Sequence, residues 1–309
     1  MTEYKVSLKL MGSAFELIVN ETEEKKAEGL LNEGISEIKR IESILTEFSE
    51  NSVTSTINSN AGIQQTEVPE EVYQLLKRVQ HLSEITQGSF DITVSPLKKL
   101  YNFKNEVFKF PSKKEIRETL QIVGFRNLQL LPGNKVFLTR KGMRISFAAI
   151  GKGYAADCVR KIWQKEKVAG GAINASGDLS VFGNRSGKDP WKIGIPNPDN
   201  KKELLFSIPI SDGAVATSGD YEQFFIREGI RYSHTIHPKT GLPLKGIKSV
   251  SIIHKSAELC DALATAVYVM GIDVGLYFIN QLPDTHAILI NTENKVFLSD
   301  NINIENAIS

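Results

Sequence analysis

The chain has 309 residues, 41% of them hydrophobic, enough to bury a core in one large domain or in two lobes. Its 37 Lys and Arg stand against 36 Asp and Glu, a formal net charge of +1, so no global field draws it to nucleic acid or an anionic membrane, and any polyanion-binding surface has to be local. Cys158 and Cys260 lie far apart with no CxxC or Cys/His cluster, which excludes a disulfide scaffold and a zinc ribbon and suits two half-buried thiols.

Residues 4–20 alternate apolar and polar, with Val6, Leu8 and Leu10 in phase, and predict a strand pair turning at Met11-Gly12-Ser13. Over residues 24–45, Ala27, Leu30, Leu31, Ile35, Ile38, Ile41 and Ile44 recur at three-to-four spacing among charges, the pattern of an amphipathic helix facing a core. Residues 49–66 are dense in Ser, Thr and Asn, which predicts a short helix within a loop. A second helix over 69–87 ends at Gly88, followed by Ser-Phe-Asp-Ile-Thr-Val-Ser-Pro-Leu and a charged connector over 100–120.

Strand signals return at 128–138, and residues 145–149 lead into Gly151-Lys152-Gly153 and a helix to Lys167. Beyond Gly170, strands are predicted at 171–182, 191–195, 204–210, 213–217 and 248–254, with helices opening near Glu258 and Asp273. No fixed-period repeat occurs. Strands outnumber strand-helix-strand units, so the expected class is α+β rather than a doubly wound parallel sheet. No run of about 18 apolar residues occurs, so no transmembrane segment is predicted. The opening Met-Thr-Glu-Tyr-Lys has no basic stretch followed by an apolar one, which predicts a soluble chain in the cytoplasm, or in the periplasm if an export signal has been removed.

Gly151-Lys152-Gly153 lacks the spacing of a P-loop and of a dinucleotide fingerprint. A glycine-flanked lysine where a strand feeds a helix suits either a phosphate contact or a plain strand-to-helix turn. Asp261 and Thr265 stand four apart on a predicted helix, which puts a carboxylate and a hydroxyl on one face. Such hard oxygens suit Mg²⁺; the alternative is a capping Asp and a buried Thr. His234 and His237, three apart on a predicted strand, point to opposite faces and do not make a metal pair. His234 suits a general base, a phosphate or ribose contact, or a structural histidine. Upstream, Thr217-Ser-Gly-Asp-Tyr221 offers hydroxyls at a strand end, or a hydrogen-bonded turn.

In wording and order these segments resemble the ApbE family of FAD:protein FMN transferases. The elements are Met11-Gly12-Ser13, Gly88-Ser-Phe-Asp-Ile-Thr-Val-Ser-Pro-Leu97, Ile150-Gly-Lys-Gly-Tyr-Ala-Ala-Asp157, Asn174-Ala-Ser-Gly-Asp178, Thr217 to Tyr221, Ser233-His-Thr-Ile-His-Pro-Lys-Thr-Gly241 and Asp261-Ala-Leu-Ala-Thr265. The resemblance implies a single T-fold-like α+β domain over 1–309, with mixed and antiparallel sheets, flanking helices and two intertwined lobes around an FAD cleft. It implies a Mg²⁺-dependent enzyme that splits the FAD pyrophosphate, passes FMN to a Thr or Ser hydroxyl of an acceptor flavoprotein and releases AMP. The alternative is a relative that binds FAD or hydrolyses it to FMN and AMP.

Carried over by position, Asp261, Thr265 and the carbonyl of Ala149 look like Mg²⁺ ligands. Met11, Phe48, Ser89, Phe90, Asp91, Lys152 and Thr235 look like FAD contacts, and His234 falls on the family's candidate catalytic histidine. Two positions depart: Ser146 stands where the family has an FAD-contacting Asp, and His237 replaces the Asp of its His-x-x-Asp-Pro element.

Overall fold

Residues 1–101, 110–185, 189–219 and 224–306 are described by a computed structural model. The alternating N-terminal segment forms the hairpin β1 (Thr2–Leu10) and β2 (Ser13–Glu21), in register from Thr2 opposite Glu21 to Leu10 opposite Ser13. Its turn places Met11 and Gly12 at φ 49° and 74°, the two left-handed residues that suit the twist of a tight hairpin. α1 (Glu24–Leu45) buries the predicted stripe, including Ala27, Leu30, Leu31, Ile38 and Ile41. α2 (Val53–Ser59) is capped by Ser52, whose Oγ accepts from the Ser55 N–H.

β3 (Thr66–Glu67), α3 (Glu70–Ile85) and α4 (Ser95–Lys98) follow. The charged connector is not irregular throughout. It holds α5 (Lys113–Leu120), started by a Ser112/Glu115 capping box; residues 102–109 lie outside the described residues.

β4 (Leu128–Leu131) and β5 (Lys135–Leu138) form a hairpin, then α6 (Gly151–Lys165). The segment predicted as one strand at 171–182 is a second hairpin, β6 (Gly170–Ala175) and β7 (Asp178–Gly183). The remaining elements are β8 (Trp191–Asn197), β9 (Asn200–Ile210), β10 (Gly213–Gly219), β11 (Phe224–Arg227), β12 (Ile230–Ser233), β13 (Ile247–His254), α7 (Ala257–Met270), α8 (Ile272–Ile279), β14 (His286–Asn291), β15 (Val296–Leu298) and β16 (Glu305–Asn306).

Among the described residues every strand pairing is antiparallel, and the main sheet runs β1-β2-β6-β7-β10-β13-β14-β15. Its two faces feed two cores. Ile173, Phe182, Ala214, Ala216 and Leu289 belong to the larger core with α1, α6 and α7. Their neighbours Ala172, Val181, Val215 and Ile288 pack with Trp191, Ile193, Ile195 and Ile208 of the β16-β9-β8 sheet. Successive side chains point to opposite faces, so a sheet covered on both sides reads as a continuous apolar run.

The approach of α6 to α7 is set by Gly153. A Cβ there would lie 2.1 Å from the Ala257 carbonyl oxygen and 2.6 Å from its carbon, so only glycine lets the first turn of α6 rest on the first turn of α7.

Candidate functional site

At that contact the α6 and α7 residues singled out in the sequence meet the ends of two strands. Lys152 Nζ lies 2.6 Å from Asp178 Oδ2. Asp178 opens β7 just after Ser176 and Gly177 at φ 60° and 104°, a turn in which Asn174 Oδ1 accepts from the Gly177 N–H. Its other oxygen accepts from the Thr217 N–H on β10. Asp261 Oδ2 accepts from the Gly153 N–H at 3.2 Å, and Thr265 Oγ1 lies 3.3 Å from Ser218 Oγ.

The capping alternative for Asp261 does not hold. Ser256 caps α7, its Oγ accepting from the Leu259 N–H, and Asp261 sits buried one turn further on. Burial pushes the Asp261 carboxyl pKa up, the charge of Asp178 pushes the same way, and Lys152 and the Gly153 N–H pull it back. Two buried carboxylates beside one lysine leave an excess of negative charge that a cation relieves. The oxygens of Asp261 and Thr265, with those of Asp178 and Ser218 nearby, are the hard donors Mg²⁺ takes. The residues present therefore fit that ion.

The other expected residues fall on adjoining segments. Met11 Cε lies near Gly151: a Cβ there would be 3.5 Å from it, 3.7 Å from Phe147 and 3.9 Å from Leu45. The segment 145–149 expected as a strand leading into α6 is not one. Residues 145–147 pair with no strand, and a turn follows in which the Phe147 carbonyl accepts from the Ile150 and Gly151 N–H groups. Ala149 lies in this turn, half-buried against the main core. Ser146 donates its N–H to the Ile92 carbonyl, and its Oγ accepts from the Ala148 N–H at 3.4 Å. Phe48, in the loop after α1, is 93% exposed; its neighbour Glu47 accepts from Ser95 Oγ.

Ser89 is half-buried, whereas Phe90 and Asp91 are buried. The Asp91 carboxylate accepts from the Thr93 N–H and hydroxyl and from the Phe125 N–H, and so fixes the segment 91–93. α4 and the residues just after it adjoin the His234–Gly241 turn: a Cβ on Gly241 would meet Leu97 at 3.1 Å, and Tyr101 Oη donates to the Gly241 carbonyl.

β12 ends at Ser233, so His234 and His237 do not share a strand and alternation does not apply to them. His234 is half-buried, and Thr235 exchanges main-chain contacts with Ser233 Oγ and Leu244. His237 Nδ1 accepts from the Lys239 N–H, closing its own turn. Of Thr217 to Tyr221, Asp220 and Tyr221 lie outside the described residues. Asp178 and Ser218 were given no role from the sequence. The signal for Asp178 was a charge just after Ser-Gly inside an otherwise apolar strand hairpin.

The profile of the ApbE family matches residues 11–290. The FAD:protein FMN transferase of Klebsiella pneumoniae is 29% identical over 299 residues, covering 96% of this chain and 92% of that one. The solved ApbE protein of Thermotoga maritima superposes with a TM-score of 0.88 at 32% identity, covering 97% of both chains. The apo flavinyl transferase ApbE of Pseudomonas stutzeri gives 0.86 at 25% identity, covering 97% of this chain and 95% of that one.

Proposed function

The chain belongs to the ApbE family, and on that premise we propose that it is a Mg²⁺-dependent FAD:protein FMN transferase acting on a Ser or Thr hydroxyl of an acceptor flavoprotein. The observation that carries this reading is the convergence of Lys152, Asp178, Asp261 and Thr265 where α6 meets α7, a cluster able to receive a pyrophosphate and its counter-ion.

In the reaction the acceptor oxygen bonds to the phosphorus of the FMN half. The bond from that phosphorus to the bridging oxygen breaks, and AMP leaves with the bridging oxygen and its electron pair. The proton of the attacking hydroxyl goes to His234, an imidazole being the side-chain type suited to take a proton near neutral pH. Lys152, held by Asp178, places an ammonium against the non-bridging oxygens and offsets the charge that builds on the leaving phosphate. Asp261 and Thr265, with the Ala149 carbonyl, would hold the Mg²⁺, which when bound supplies further neutralisation of the pyrophosphate.

Met11, held in the left-handed turn beside the start of α6, and Phe48, exposed on its loop, supply apolar surface for the isoalloxazine. Ser89, Ser146 and Thr235 supply polar contacts, while Phe90 and Asp91 shape the wall behind them.

Incubating the full chain with FAD, Mg²⁺ and an acceptor domain, then weighing the acceptor by mass spectrometry, tests the reading. The expected product is the acceptor carrying one FMN, with AMP in equal amount. FAD consumed to free FMN and AMP, with the acceptor mass unchanged, would make the chain a hydrolase.

A further inference from the structure

The near-neutral net charge hides a local concentration of cations. A cleft of about 770 Å³ is lined by one face of α3 from Gln74 to His81 and one face of α6 from Asp157 to Gln164, with Lys255 to Leu259 at the start of α7. Each helix contributes positions at i, i+3, i+4 and i+7. The lining holds five Lys or Arg side chains and two carboxylates, a formal +3 on a chain whose total is +1.

The inner charges already have partners. Arg78 makes a two-point pair with Glu258 at 2.6 and 2.9 Å, and Arg160 bonds Asp212 and the Lys255 carbonyl. Asp157 accepts from the Ser256 hydroxyl and from the Ala257 and Glu258 N–H groups, so the amides at the start of α7 are taken. The cations left over stand at the rim. Lys77 and Lys161 are exposed and make no ion pair or hydrogen bond among the described residues, and Lys255 reaches only a distant contact of 4.0 Å with Asp284.

The geometry points to a second ligand site in this cleft, for a phosphate-bearing small molecule of nucleotide size held by Lys77, His81, Lys161 and Lys255. The volume is that of a small-molecule site rather than of a flat protein face. Compact, unpaired ammonium groups suit phosphate oxygens, and Leu82 and Leu259 offer apolar surface for the rest of the ligand. The cleft is separate from the Lys152 cluster: at 100° per residue, Lys152 projects about 140° around α6 from Asp157, and neither Lys152 nor Asp261 lines the cleft.

The probes are AMP and inorganic pyrophosphate, titrated calorimetrically into the full chain at saturating FAD, so that the transferase site is filled. Both should bind, and the double variant Lys77→Glu/Lys161→Glu should weaken both by about tenfold or more, the loss of charge-assisted contacts. The control Lys9→Glu/Lys25→Glu, which makes the same change of net charge at other exposed positions, should leave the affinity within about twofold. FMN transfer to the acceptor should be the same in wild type and both variants, which separates this inference from the transferase reading. The inference is overturned by any of four results: no binding at saturating FAD, equal weakening in both charge variants, equally tight binding of an Asp-rich peptide, or binding to phosphatidylglycerol vesicles alone.

Discussion

Asp261 illustrates how surroundings set the chemistry open to one residue. Four residues before Thr265 on an exposed helix it would be an ordinary carboxylate; buried beside Asp178 it is a charge in need of a cation. Asp261→Asn keeps the shape and removes the charge. We expect it to abolish FMN transfer and the response of transfer to Mg²⁺, because a hydroxyl and a carbonyl do not displace the ion's hydration shell. A variant whose transfer still rises with added Mg²⁺ would remove Asp261 from the ligand set. His234→Ala should lower transfer by about 10²-fold while FAD affinity, measured by flavin fluorescence, stays near wild type. Loss of FAD binding in step with activity would make His234 a binding residue instead. The positions of Asp261, Thr265 and His234 stood out in the sequence because they fall in short motifs, and the structure brings Asp261 to the Gly153 N–H and Thr265 to Ser218. Asp178 was not, since its meeting with Lys152 depends on the β6–β7 hairpin lying against α6, a contact between residues 26 positions apart.

Helix elements with strong periodicity were the most legible. The stripe over 24–45 predicted α1 with both ends in place, since an apolar face of six turns leaves little freedom in register. The segment at 145–149 misled because its apolar residues face the core without a partner strand. Asn58 takes the place of a ladder there, its side chain accepting from the Ile145 N–H and donating to the Ile145 carbonyl. The close crossing of α6 and α7 was also hidden, because a glycine reveals a tight approach only once its neighbour is known. Gly153→Ala tests that crossing. Its Cβ would press on the backbone of Ala257 and Glu258, which no rotamer change relieves. Overpacking of this kind costs about 1–3 kcal/mol, and because the Gly153 N–H also bonds Asp261, Mg²⁺ affinity should fall with stability. Gly29→Ala in α1, where the new Cβ meets nothing within 4 Å, should be neutral or stabilising. Equal unfolding midpoints for the two variants in denaturant would show that the α6–α7 contact can yield.

Across the whole molecule, two histidines hold the turns that deliver separate parts of the site. His237 Nδ1 accepts from the Lys239 N–H in the turn after His234, and His254 Nδ1 accepts from the Ser256 N–H at the start of α7. Both rings must be unprotonated at Nδ1 to accept. An Asp side chain can make the same two-residue contact that His237 makes here. Burial lowers the pKa of each histidine from its ordinary value; Lys239 adds to the effect at His237, and at His254 the nearby Asp284 and Asp157 oppose it. In the window just below the ordinary histidine pKa these two side chains therefore bind more protons in the unfolded chain than in the folded one, while Asp261, raised by burial to about 7, works in the opposite sense there. The stability the two histidines contribute is present above about pH 6.5 and is lost as pH falls from there through the lowered folded values. Glu21 and Glu71, whose pKa values are lowered by Lys26 and Arg40 respectively, lose their contribution only at more acid pH, below the ordinary carboxylate range. Asp91, raised by burial, works in the opposite sense. The double variant His237→Asn/His254→Asn keeps an acceptor for each turn and removes the titration, leaving the carboxylates common to both proteins. Its thermal midpoint should fall less than that of the wild type between about pH 7.5 and 5.5, with the two proteins closest at the upper end. Parallel loss of stability in both over that interval would place the acid sensitivity elsewhere in the fold.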